Sequence, residues 1–134
     1  MPPIPITLLT AAAATAINFW LGGRISALRR DFKVSVGDGG HEPLLRRMRA
    51  QANFIENAPF FLILLGGLEL SGANRVGLAA IAAIFVLARI AHGVGMDRAD
   101  LRRWRMYGML GTAFALVPLG MWAVLCAGRA LLGG

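Results

Sequence analysis

The sequence has few charged groups and few of the side chains that usually carry catalysis or bind metals. Only 16% of its 134 residues are charged, whereas 57% are hydrophobic. A soluble domain of this size needs a polar exterior, so this composition argues against one. The lone cysteine, Cys126, excludes an intrachain disulfide, and its apolar surroundings are typical of an inert packing thiol. With only two histidines in the chain, we predict no metal site.

Long apolar segments are present instead. They run from about residue 4 to 28, 43 to 70, 75 to 96 and 101 to 132. Each supplies, or nearly supplies, the ~20 apolar residues that a helix needs to cross a bilayer. No positive charge precedes the first segment and Arg24 follows its apolar run, the reverse of a signal peptide, so we interpret it as a retained helix. The sequence therefore predicts an all-α membrane protein, a bundle of four transmembrane helices forming a single domain over residues 1–134.

The basic residues are gathered near two of the three connections. The formal net charge is +7, but arginines beside long apolar spans more often set topology and meet anionic lipid than bind nucleic acid. The first and third connections with their flanks hold eleven basic residues, against two on the opposite side. This asymmetry predicts that residues 29–45 and 97–102 are cytoplasmic and that both termini are periplasmic.

Several polar residues fall at membrane depth. Arg46, Arg49, Asn53 and Glu56 are spaced so that they share one helical face within about 80°. Arg89 lies on the next helix at a depth similar to that of Glu56, each roughly 10 Å from the cytoplasmic boundary. Unpaired charges are costly there. We therefore predict that Glu56 and Arg89 belong to one polar cluster, either paired directly or facing a shared cavity.

Two further polar residues are interpreted differently. Glu69 lies at the far end of the second segment, which favours a solvated boundary residue. His92, one turn from Arg89, favours packing or hydrogen bonding over catalysis. The cluster itself has two interpretations, because buried polar groups also hold helices together without binding anything. An intramembrane group of arginines, however, is typical of an anionic ligand site.

Residues 46–59 read RRMRAQANFIENAP. This segment resembles the helix-two signature of the MAPEG family, the membrane-associated proteins in eicosanoid and glutathione metabolism. That signature is approximately Arg-Ala-His-x-Asn-x-x-Glu-x-x-Pro. The upstream Gly-Asp-Gly-Gly at 37–40 and the downstream Arg-Ile-Ala-His at 89–92 are also similar to the family, especially to its short bacterial members. The resemblance covers nearly the whole chain.

The resemblance implies a homotrimer that binds glutathione between neighbouring subunits, near the cytoplasmic face. Carried over residue by residue, it implies Arg105 as the catalytic group that holds the thiolate. The implied ligand-binding residues are Arg49, Asn53, Glu56, Arg89 and, close to Arg105, Tyr107. Glutathione would bring two carboxylates for arginines, an ammonium for Glu56 and an ionisable thiol.

The chain departs from the family at three positions. Gln51 replaces the usual histidine, Met96 stands where the eicosanoid enzymes have a tyrosine, and Met106 stands where prostaglandin E synthase has a serine. The glutathione-binding frame is therefore better preserved than the catalytic equipment.

The resemblance and the residues together favour a bacterial inner-membrane protein that binds glutathione. Its expected partners are copies of itself, membrane lipids and a lipophilic small molecule, and its expected reaction is that of a microsomal-type glutathione transferase acting on lipophilic electrophiles. The alternative is a non-catalytic membrane protein whose polar cluster serves trimer assembly or binds a lipid headgroup. The sequence leaves open whether the protein is an enzyme, because the three departures affect the catalytic positions.

Overall fold

The computed structural model describes residues 3–133, and over this range it consists of four long helices joined by turns. The helices are α1 (Pro5–Phe32), α2 (Glu42–Leu70), α3 (Arg75–Gly95) and α4 (Arg102–Leu131), and a 3-10 turn (Ala99–Leu101) precedes α4. Each is long and apolar enough to cross a membrane. The predicted all-α architecture with four spans is therefore confirmed. Residues 1, 2 and 134 of the predicted domain lie outside the described range.

Helix α1 continues to Phe32, four residues beyond its predicted end at Leu28. The prediction ended the helix with the apolar run, but a helix that leaves the hydrocarbon no longer needs apolar side chains. Arg29 and Arg30 in the last turn interact favourably with the negative end of the helix dipole. Lys33 then ends the helix in a left-handed conformation with φ of 55°.

The prediction that Glu69 is a solvated boundary residue is wrong. Glu69 is only 5% exposed, at the end of α2. Its carboxylate accepts hydrogen bonds from Ile6 N at 3.0 Å, Thr7 N at 2.8 Å and Thr7 Oγ1 at 2.6 Å. The first turn of a helix leaves its N–H groups without partners, and Glu69 supplies an acceptor for two of those in α1. The residue thus joins α2 to the start of α1.

Helices α3 and α4 cross with their backbones in contact. A Cβ atom on Gly95 would lie 2.0 Å from Arg105 N, and one on Gly108 would lie 2.4 Å from His92 N. Only glycine permits so close an approach. Phe61 of α2 and Phe85 of α3 stack with their ring centroids 3.9 Å apart, which adds an aromatic contact to the core between these helices.

The outer surface of the bundle is apolar. Large hydrophobic side chains are exposed on the helices, among them Leu9, Phe19, Phe60, Phe114 and Val124. Water-soluble monomers rarely expose continuous apolar surface of this kind. Lipid or other copies of the chain are therefore the expected neighbours of these side chains.

Candidate polar groove

A polar groove opens between α2, α3 and α4, close to the helix ends that lead into the α1–α2 and α3–α4 connections. Its volume is about 360 Å³. The groove combines two arginines, a carboxylate, an amide and an imidazole with two methionines and an alanine. These lining residues are Arg49, Ala52, Asn53, Glu56, His92, Met96, Arg105 and Met109.

The predicted polar face of α2 supplies one wall. Arg49, Asn53 and Glu56 all line the groove, as their spacing indicated. Arg46, which was predicted on the same face, is not among the lining residues and pairs instead with Glu42 one turn earlier, at 2.8 Å from Nη2 to Oε1. The groove wall therefore begins at Arg49.

Arg89 lies behind this wall and is almost fully buried, with 2% exposure. Its Nη1 donates to Asn53 Oδ1 at 3.0 Å. Arg89 and Glu56 form no ion pair within residues 3–133, so they are not paired directly. Arg89 is also not among the lining residues, so the prediction that it faces a cavity shared with Glu56 is wrong, and its link to the groove is the hydrogen bond to Asn53.

Two buried side chains at the groove have polar atoms without partners among the described residues. These atoms are Nε and Nη2 of Arg89 and Nδ1 of His92. A buried polar atom without a hydrogen bond is costly, and a buried cation is more so. A bound anion or other polar ligand would lower that cost. His92 was predicted to pack or to make hydrogen bonds, and the structure places it in the groove lining.

Arg105 reaches the groove from the start of α4, but Tyr107 does not. Tyr107 lines a separate groove of about 540 Å³ between α3 and α4, among apolar side chains that include Ile90 and Trp104. Residues two apart on a helix lie about 200° apart, so Tyr107 and Arg105 point in different directions. Within one chain, the structure does not bring Tyr107 together with the other candidate site residues.

Met109 is a groove residue that the sequence reasoning missed. It lies four residues after Arg105 and lines the groove beside it. Positions i and i+4 share one face of a helix, so the spacing could have identified it. Ala52, three residues after Arg49, could have been found in the same way.

Comparison with known proteins places these residues in a family. The model of the MAPEG family matches residues 7–125. The chain belongs to the MAPEG family. Among its relatives is the inner membrane protein YecN of two Escherichia coli strains, which is 31% identical over 90 residues, covering 67% of this chain and 68% of the relative. An inner-membrane relative agrees with the four membrane-spanning helices.

The three departures from the MAPEG pattern occupy different surroundings. Gln51 faces away from the groove, because its Nε2 donates to Asn18 Oδ1 of α1 at 3.2 Å. Met106 is exposed and is not among the lining residues. Met96 lines the groove. Of the three substitutions, the one at Met96 is therefore the one that changes the groove of this MAPEG protein directly.

Proposed function

We propose that this inner-membrane MAPEG protein binds glutathione in the polar groove. The supporting observation is the pair of buried, unsatisfied side chains, Arg89 and His92, beside a groove that also carries Arg49, Arg105 and Glu56. Such a set of groups suits a small ligand with several negative charges and one positive charge. Glutathione has two carboxylates, an ammonium and a thiol that becomes an anion.

Each charged group of glutathione has a partner of opposite sign in this proposal. Arg49 binds a carboxylate, since arginine forms strong charge-assisted hydrogen bonds to such groups. Arg89, buried behind the groove wall, adds a positive charge that attracts the carboxylates without contacting them. Glu56 binds the ammonium, and Asn53 holds Arg89 in place through the bond at 3.0 Å. Arg105 stabilises the thiolate, because a nearby cation favours the ionised form of a thiol.

The proposed reaction is the conjugation of glutathione to a lipophilic electrophile. The thiol releases its proton to water, and the sulfur then forms a bond to an electrophilic carbon. The displaced electron pair leaves with a leaving group or moves to the adjacent atom of an activated double bond. The protein contributes an activated nucleophile and the proximity of the two reactants. Met96 and Met109 give the groove soft apolar surface against which such an electrophile would pack.

The proposal includes a homotrimer in which a neighbouring subunit covers the groove. Arg49, Glu56 and Arg105 are exposed on the single chain. Charged side chains within membrane-spanning segments normally face a protein interior or water-filled cavity rather than lipid. A second copy of the chain would enclose them and complete the site.

Thermal unfolding of the detergent-purified protein with and without millimolar glutathione tests the proposal. Glutathione at a hundred times its dissociation constant should stabilise the folded protein by ~2.7 kcal/mol and raise its melting temperature. Arg105→Ala and Glu56→Ala should reduce this shift, whereas Arg75→Ala, an exposed arginine at the opposite end of α3, should retain it. Arg105→Ala should also leave the oligomer mass unchanged.

The second candidate function is a non-catalytic role in assembly. The Arg89–Asn53 hydrogen bond between α3 and α2 supports a structural role of the polar residues, since it joins two helices of one chain without any ligand. In that case saturating glutathione would leave the melting curve of the wild type unchanged. Glu56→Ala or Arg89→Ala would then reduce the oligomer mass measured by light scattering.

A further inference from the structure

Asp97 lies between α3 and the 3-10 turn, and its carboxylate forms ion pairs with arginines from two other helices. Arg24 of α1 forms an ion pair with Oδ1 of Asp97, and Arg47 Nε of α2 lies 3.1 Å from the same oxygen. The arginines are also joined to the backbone: Arg47 Nη1 donates to Arg24 O at 2.9 Å, and Arg24 Nη1 donates to Gly93 O at 3.3 Å. We call Asp97, Arg24 and Arg47 the Asp97 cluster.

The Asp97 cluster is shielded from solvent to an extent that an ordinary surface ion pair is not. The side chains of Arg24, Arg47 and Asp97 are 14%, 26% and 26% exposed. The guanidinium of Arg24 also lies 4.4 Å from the ring centroid of Trp20, which covers one of its faces. By contrast, the side chains of the nearby Arg98–Asp100 pair are 72% and 59% exposed. Exposed pairs of that kind contribute little, whereas breaking a shielded one leaves an uncompensated charge.

The Asp97 cluster is directly connected to the polar groove. Met96, which precedes Asp97, lines the groove, and the backbone of Gly95 touches that of Arg105. Arg47 lies two residues before Arg49 on α2. One carboxylate therefore fixes the end of α3 against α2 at the point where the groove receives Arg49 from one side and Arg105 from the other.

We propose that Asp97 is a positioning residue that sets the separation of Arg49 and Arg105 at the mouth of the groove. Without its charge, α2 loses its ion pair with the end of α3, and α1 keeps only the hydrogen bond from Arg24 Nη1 to Gly93 O. Two arginines then repel each other where they previously shared a carboxylate. When the end of α3 moves, the backbone of Arg105 moves with it, because the backbones of Gly95 and Arg105 are in direct contact. The effect on glutathione rests on the proposed function, but the effect on helix spacing does not.

The first measurement is the distance between α2 and α4, obtained by double electron–electron resonance between two spin labels. The labels are placed at Leu45→Cys on α2 and Arg102→Cys on α4, both exposed, in a Cys126→Ala background diluted with unlabelled protein. Asp97→Asn should broaden the distribution of distances between the two labels, and Asp97→Glu should bring its width part of the way back to that of the wild type. Asp100→Asn is the matched control and should leave it unchanged. If Asp97→Asn does not yield folded protein, Arg47→Gln, which removes one of the two ion pairs, replaces it.

Glutathione binding is measured second, with the ultraviolet absorbance of the bound thiolate. Asp97→Asn should lower the thiolate fraction even at saturating glutathione, and turnover should fall by up to ~100-fold if Arg105 is displaced by about 1 Å. A general loss of protein stability would not lower the thiolate fraction of bound glutathione when the site is saturated. Asp97→Glu should recover it partly, and Asp100→Asn should match the wild type.

The outcomes separate this proposal from the proposed function. An unchanged distance distribution in Asp97→Asn overturns the positioning role, whatever glutathione does. A broadened distribution with an unchanged thiolate fraction overturns it as well, because the groove would then be insensitive to the helix ends. A broadened distribution in a protein whose wild type binds no glutathione supports Asp97 as a conformational determinant and overturns the proposed function alone.

Discussion

At the scale of single residues, Glu69 is the side chain whose role is most clearly defined by its contacts. It accepts three hydrogen bonds from Ile6 and Thr7 while it is almost fully buried. Glu69→Ala would leave two N–H groups and a hydroxyl without this acceptor. Since each hydrogen bond to a charged group contributes ~1.5–3 kcal/mol and three are lost, we expect the free energy of unfolding to fall by at least that amount. Thermal unfolding in detergent measures the change.

Glu42→Ala is the matched control for Glu69→Ala. The Glu42 side chain is 72% exposed and, among residues 3–133, pairs only with Arg46, one turn away on the same helix. Exposed pairs at this spacing contribute about 0.3–0.5 kcal/mol, so the control should melt close to the wild type. Equal, small effects of the two substitutions would contradict the assigned role of Glu69.

The side chains at the groove show what local spacing predicts and what it does not. Helical periodicity placed Arg49, Asn53 and Glu56 on one face, and it would also have placed Met109 with Arg105 and separated Tyr107 from it. No local pattern indicates the partners of Glu69 or Asp97, because those partners lie on other helices. Their contacts depend on how the helices pack, which the periodicity of one segment does not determine.

At the scale of the helices, the contact between α3 and α4 depends on glycine. A methyl group on Gly108 would overlap the backbone of His92, with its Cβ 2.4 Å from His92 N. Overpacking of this kind costs ~1–3 kcal/mol, and backbone atoms can yield only if the helices separate. We therefore expect Gly108→Ala to destabilise the protein by at least that amount in thermal unfolding and to weaken the proposed glutathione binding, because His92 and Arg105 border the groove.

Gly120 on the same helix provides the comparison. A Cβ atom there meets nothing within 4 Å. Alanine forms helix more readily than glycine by about 1 kcal/mol, so Gly120→Ala should be neutral or slightly stabilising. If both substitutions changed the thermal stability equally, the glycines of α4 would affect stability through helix propensity and not through the contact with α3.

The helices themselves were predictable because the bilayer sets their length. Roughly twenty apolar residues are needed to cross it, and the four apolar segments met that requirement. The prediction failed at the end of α1, where Arg29 and Arg30 continue the helix without contributing apolar surface. Hydropathy detects the part of a helix that lies in hydrocarbon, and this chain extends α1 beyond it.

At the scale of the whole molecule, the orientation of the chain in the membrane determines which compartment the groove opens to. Arg49 and Arg105 lie near the helix ends that lead into the basic connections, so the proposed polar ligand would come from the compartment that faces those connections. The excess of basic residues there predicts that this compartment is the cytoplasm. Two exposed serines in opposite connections, Ser35 and Ser71, allow a matched test in a Cys126→Ala background.

In intact cells, a membrane-impermeant maleimide should label Ser71→Cys, whereas Ser35→Cys should react only after the inner membrane is permeabilised. Both sites lie outside the groove, so neither substitution should affect the proposed ligand site. The reverse labelling pattern would place the mouth of the groove at the periplasm and contradict the predicted topology. The ligand of Arg49 and Arg105 would then have to be sought among periplasmic anions, even if glutathione binds the purified protein.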